Sequence, residues 1–143
     1  MSVSKTAAVS TEDSPSRLLV EQRIRNRIIE YFELASSFEA QQQLERGSIA
    51  HVPHEVINIW EDWNPVDQSV WPGRLAHPYS EDEIAAMQRF NQEWEWVCSN
   101  TPDPMPSLAE TQALPAWHRL REAAAAALAV FSVRGRFSED VEI

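Results

Sequence analysis

Lysine is all but missing from this chain: Lys5 is the only one, beside eleven arginines. Such a bias fits a GC-rich bacterial genome. Glycine is nearly as scarce, with three in the chain. That argues against Gly-rich phosphate loops and the tight corners of small barrels. Cys98 is the single cysteine, which rules out an intramolecular disulfide and suits a reducing compartment. Its apolar neighbours predict a small buried thiol and not a reactive one. No apolar run approaches the roughly 18 residues of a membrane helix. The opening MSVSKTAAVSTEDSPS has no unbroken apolar core and carries Glu12 and Asp13, so it does not read as a secretory signal. We expect residues 1–14 to form a disordered leader and the protein to be cytoplasmic.

Positive charge is also short. The formal net charge is -10 and the pI about 4.8. Neutralising phosphates takes an excess of Lys and Arg, so neither DNA, RNA nor an anionic membrane is expected as a partner. A hydrophobic content of 43% over 143 residues is that of one globular domain, able to bury about two-thirds of its unfolded surface.

What the chain does have is helix punctuation. Ser14-Pro15 marks a start, and Val20, Ile24, Ile28, Tyr31, Ala35 and Phe38 recur at steps of three and four. The pattern predicts one long helix over about 15–46, ended by Gly47, with room for a bend at Ser36-Ser37. A short helix over about 54–63 follows Pro53, with Val56, Ile57, Ile59, Trp60 and Trp63 as its apolar face. Ser80 and Glu83 stand in capping-box register ahead of a helix over about 80–98, and Ser107 and Glu110 repeat that register before a short one over about 107–113. The last helix, about 115–134, carries the Ala123–Ala127 run, whose small side chains allow close approach. No strand-type alternation or fixed repeat is present. The expected fold is all-α, a single irregular helical bundle over 15–137 with three major and two short helices. Residues 138–143 are expected to form a flexible acidic tail.

Between Gly47 and Glu83 lie seven acids (Glu55, Glu61, Asp62, Asp67, Glu81, Asp82, Glu83) against one base, Arg74. Trp60, Trp63 and Trp71 are interleaved with them. Concentrated negative charge beside aromatics fits a surface for a basic protein partner better than a catalytic pocket. The expected partner-binding residues are Glu55, Glu61, Asp62, Trp63, Asp67, Trp71 and, from the next helix, Trp96. Trp60, Trp94 and Trp117 fall on core rows instead.

Catalytic constellations fare less well. His51 and His54 have the chemistry of zinc ligands, but Pro53 splits the pair across a helix start, and the simpler reading places them at a helix entry. They are weak metal candidates only, and no cofactor is expected. Neighbouring carboxylates such as Glu61 and Asp62 point about 100° apart on a helix and do not face each other. No serine lies in a G-x-S-x-G elbow, and Cys98 with His118 has no supporting pattern. An enzymatic role is therefore not expected. The arginines of the first helix are predicted to pair locally, as Glu21–Arg25 and Arg27–Glu30, or with the acidic middle of the chain.

In overall profile the chain resembles the immunity proteins that neutralise secreted toxins and the small acidic chaperones of secretion systems. That resemblance implies a binding protein that occludes or escorts a basic partner, a toxin among the candidates. The competing expectation is a small-molecule-binding helical domain, its pocket lined by Trp94, His77 and an arginine of the last helix.

Overall fold

The computed structural model of the protein describes residues 15–63 and 78–143. Among them the fold is all-α, with six helices: α1 (Arg17–Ala35), α2 (Phe38–Arg46), α3 (Val52–Trp63), α4 (Glu81–Ser99), α5 (Leu108–Gln112) and α6 (Pro115–Ser132). Residues 1–14, expected as a leader, lie outside the described residues.

The long first helix of the sequence reading is two helices. Ser36 and Ser37 do more than bend it. The Ser37 hydroxyl accepts from the Ala40 N–H at 3.0 Å and caps a new helix. Gln41 then fastens the joint by donating to the carbonyls of Leu34 and Ala35. Serine side chains offer the backbone an alternative to the helical ladder, and here two in a row succeed. The first helix also opens at Ser16, whose hydroxyl accepts from the Leu19 N–H at 3.1 Å. Ser14 lies outside the described residues. Both capping boxes are present, at Ser80–Glu83 and Ser107–Glu110. Pro115 takes the first position of α6, where its missing N–H leaves nothing unsatisfied.

Helix α1 packs on α3 and α6, and α6 packs on α4. Ala124 and Ala127 are buried on the inner side of α6, where small side chains allow close packing. The ring of Phe32 lies at the centre, 5.0 Å from Phe90 and 5.6 Å from both Trp60 and Phe131. One aromatic from each of α1, α3, α4 and α6 thus meets at a single point, contributing large buried area and favourable edge contacts. Trp60 and Trp117 are fully buried, as their positions predict. Trp94 is half-buried against the core. Two indole N–H groups join α3 to α4: Trp60 donates to the Asn91 side chain at 2.9 Å and Trp94 to the Ile57 carbonyl at 3.2 Å.

Arg25 does not pair with Glu21. It is fully buried and pairs with Glu83 at 2.6 Å, and Arg134 reaches the same carboxylate at 2.5 Å. Burial pushes the Glu83 carboxyl up. The hydrogen bonds from Arg134, Arg25 and the Ser80 N–H together outweigh that and hold it below its ordinary value. The predicted Arg27–Glu30 pair is formed, at 2.5 Å.

After α6 the chain reverses at Gly135, whose φ of 71° lies in the left-handed region that favours glycine. The following residues do not hang free as an acidic tail. They run antiparallel to α1, from Glu33, which pairs with Arg136, to Ser16, which bonds Glu142. Their remote partners, more than a hundred residues away, left no local signal to predict the contact.

Candidate functional site

Helix α3 is cleanly two-sided. Val52, Val56 and Trp60 are buried, while His54, Glu55, Asn58, Glu61 and Asp62 are exposed. At 100° per residue these five span about a third of the helix circumference. Glu55 and Asp62, seven residues apart, stand nearly in line along one edge of this sector, and Glu61 lies at its other edge, about 100° from Asp62. None of the three carboxylates has an ion-pair partner among the described residues, and α3 itself carries no lysine or arginine.

The cations elsewhere are largely engaged. Arg27 pairs with Glu30 and Glu139, Arg119 with Glu93, and Arg136 with Glu33, besides the two arginines on Glu83. Five arginines are thus neutralised by carboxylates other than those of α3, whose own acids face outward.

The acidic face continues onto α4. Cys98 is exposed, contrary to the buried thiol expected, and sits within reach of both Glu61 and Glu95. Partial burial of the sulfur, then the fields of these two carboxylates, push the thiol up to about 11. A thiol held in that way stays protonated near neutral pH and is a poor nucleophile. Glu95 was absent from the expected surface. Only the meeting of α3 and α4 brings Glu61 to the thiol that Glu95 also flanks, and no local pattern announces that.

The expected aromatic anchors are dispersed. Trp63 is half-buried at the end of α3 and packs on the core. Trp96 points away from α3: two residues after Trp94, it is turned about 200° around α4. There the Arg119 guanidinium lies 3.9 Å over its ring. Asp67 and Trp71 lie outside the described residues.

His51 and His54 serve the helix entry. The His51 Nδ1 accepts the His54 backbone N–H at 3.4 Å, and its Nε2 lies 3.1 Å from the Pro106 carbonyl. Since a carbonyl only accepts, Nε2 carries the proton and Nδ1 the free pair. Both ring nitrogens are then occupied. Among the described residues, no group of three or more His, Cys, Asp or Glu stands ready to hold a metal ion.

The competing expectation placed a ligand pocket between helices. A groove of about 460 Å³ lies between α4 and α6, lined by Arg89, Glu93, Arg119 and Glu122 over Ala123 and Ala126. It includes an arginine of the last helix. Trp94 faces α3 instead, and His77 lies outside the described residues. No described helix is long and apolar enough to cross a membrane.

A scan against family models finds no match, and searches of curated proteins and of solved structures find none either. The functional reading therefore stands on the surface itself.

Proposed function

We propose that this chain binds a basic protein and neutralises or escorts it, in the manner of immunity proteins or small acidic chaperones, through the outward face of α3. One observation carries the reading: Glu55, Glu61 and Asp62 face outward without a cation among the described residues, while five of the ten described arginines are ion-paired to other carboxylates. Unpaired carboxylates on a rigid helix give a directed negative field. Such fields steer association and fix orientation more than they add raw affinity. Glu95 extends the field across α4, and the exposed part of Trp63 supplies an aromatic contact at its edge. Against a nucleic-acid-cleaving toxin, carboxylates so placed would stand in for the phosphates of its substrate.

The test is capture with tagged protein from its own host at low and at high salt, followed by association kinetics with whatever is retained. The expected partner is one basic protein that binds at low salt and leaves as salt rises. The triple variant Glu55→Gln, Glu61→Gln, Asp62→Asn should bind about tenfold more slowly at low salt, with a flattened salt dependence. Equal rates for variant and wild type would dispose of this mechanism.

A further inference from the structure

The outer half of α1 buries polar side chains where a packing helix would bury apolar ones. Gln22 and Arg25 are fully buried and Asn26 is 1% exposed. What they meet is backbone. Asn26 brackets Phe137, its Nδ2 donating to the carbonyl at 2.8 Å and its Oδ1 accepting the N–H at 3.0 Å. Gln22 donates to the carbonyls of Ser138 and Val141 and accepts the Ile143 N–H, all at 3.0 Å. Arg23 takes the Glu139 carbonyl at 2.8 Å and Arg25 that of Gly135 at 2.6 Å. Seven backbone groups of residues 135–143 are thus read by side chains of one helix. This is recognition of a peptide largely by its main chain, in a bent conformation: residues 139–141 turn, and the Ser138 hydroxyl accepts the Asp140 and Val141 N–H groups.

Two side chains of the segment add selectivity. The Phe137 ring lies against the guanidinium groups of Arg25, at 3.8 Å, and Arg134, at 4.8 Å. Glu139 receives two hydrogen bonds of 2.6 Å from Arg27 and one of 3.0 Å from Asn26. Beyond Phe137 the segment has no apolar anchor: Val141 and Ile143 remain 65% and 64% exposed. Two further contacts are exposed, Arg136 with Glu33 and Glu142 with Ser16; the more buried contacts that retain the segment are ones that another peptide with the same backbone, phenylalanine and glutamate can reproduce.

We propose that this side of α1 is a peptide-binding site, filled here by the chain's own residues 135–143, which accepts in their place a segment of a partner protein with phenylalanine two residues before glutamate and the same turn between them and its end. The site is separate from the acidic face of α3 and takes ligands of opposite charge.

The test uses the full chain. A fluorescently labelled peptide with the sequence of residues 135–143 is titrated with wild type and with the double variant Phe137→Ala, Glu139→Ala, whose own segment is weakened. The variant should bind the peptide saturably and at least tenfold more tightly than wild type. Adding Asn26→Ala should abolish that binding, as should replacing the phenylalanine of the peptide. Absence of binding to a double variant with the wild-type circular dichroism spectrum would overturn the proposal, and so would equal binding to all three proteins. Hydrogen exchange on unmodified protein gives a second reading that does not depend on how the variants fold. The Phe137 and Ile143 amides should exchange at least tenfold faster than the amides within α4 and α6. Exchange at the same rate as those helices would make the segment a permanent part of the fold and sink the idea. A wild-type dimer that the double variant cannot form would identify the donor as a second copy and overturn the assignment to a partner protein.

Discussion

The Arg25 guanidinium donates to both oxygens of Glu83, at 3.3 and 2.6 Å, across 58 residues of chain. Arg134 donates to the same two oxygens, and Glu83 also closes the capping box with Ser80. One carboxylate therefore ties the start of α4 to α1 and to the end of α6. Replacing it by glutamine leaves the fully buried Arg25 without a counter-charge. Breaking a buried pair in this way costs about 3–5 kcal/mol. Urea unfolding of Glu83→Gln should show that loss, and a change under 1 kcal/mol would mean that Arg25 finds other partners.

The same group sets the acid side of the stability profile. Its folded pKa lies below the ordinary 4.5, so in that window the unfolded chain binds more protons than the folded one. The stabilisation is complete above the ordinary value and disappears as pH falls through the lower, folded one. Glu139 acts in the same direction: the Asn26 side chain holds it down most, burial opposes that, and the hydrogen bond and charge of Arg27 with the charge of Arg23 keep the balance on the low side. Melting temperature should fall steeply below about pH 4.5 in wild type, and less steeply in Glu83→Gln.

The local signals of this chain were the legible ones. Capping boxes at Ser80 and Ser107 and the apolar rows of α3, α4 and α6 located four helices within a few residues. Each depends on neighbours within two turns. The division at Ser36-Ser37 depends on a balance between the helical ladder and serine caps, decided partly by Gln41 seven residues later. Glu21 and Arg25 have sound pairing spacing, yet Arg25 turns to Glu83 because tertiary packing buries it there. The polar side of α1 was illegible for the same reason: nothing near Gln22 and Asn26 in the sequence announces that residues 135–143 bury them. Of the expected partner surface, Glu55, Glu61 and Asp62 do share one exposed side, but Trp96 faces Arg119 instead.

The Tyr31 hydroxyl is buried without a hydrogen-bond partner among the described residues. Its ring packs 5.7 Å from Trp60 and 5.8 Å from Phe90. Burial first, and then the field of Cys98, drive its pKa well above the ordinary range. An unsatisfied buried hydroxyl costs about 1–3 kcal/mol, whereas the ring contributes fully without it. Tyr31→Phe should therefore leave the fold intact and raise the melting temperature. A clear fall would reveal a partner for the hydroxyl.

Cys98 offers a probe of the acidic face. With its thiol raised to about 11, the thiolate is scarce at pH 8, and alkylation by iodoacetamide should run at least tenfold slower than for free cysteine. Glu61→Gln and Glu95→Gln each remove one of the two fields and should move the rate–pH profile to lower pH. The move should be partial, because burial is the larger cause. A profile insensitive to both changes would show that neither carboxylate lies close enough to matter.

His51 provides the last check, on how α3 is held. Its Nδ1 takes the N–H of the third residue of the helix, as an N-cap side chain does, and its Nε2–H reaches the Pro106 carbonyl ahead of α5. The two bonds do separate work. An aspartate at this position retains the cap and adds favourable charge at the helix start, but it has no donor for Pro106. An alanine loses both. His51→Ala should lower stability by about 1 kcal/mol, and His51→Asp should fall between it and wild type. If the aspartate variant is no better than alanine, the tie to Pro106 is what matters and the cap is incidental. If alanine equals wild type, the imidazole merely decorates the entry of α3, and the orientation of the acidic face owes nothing to it.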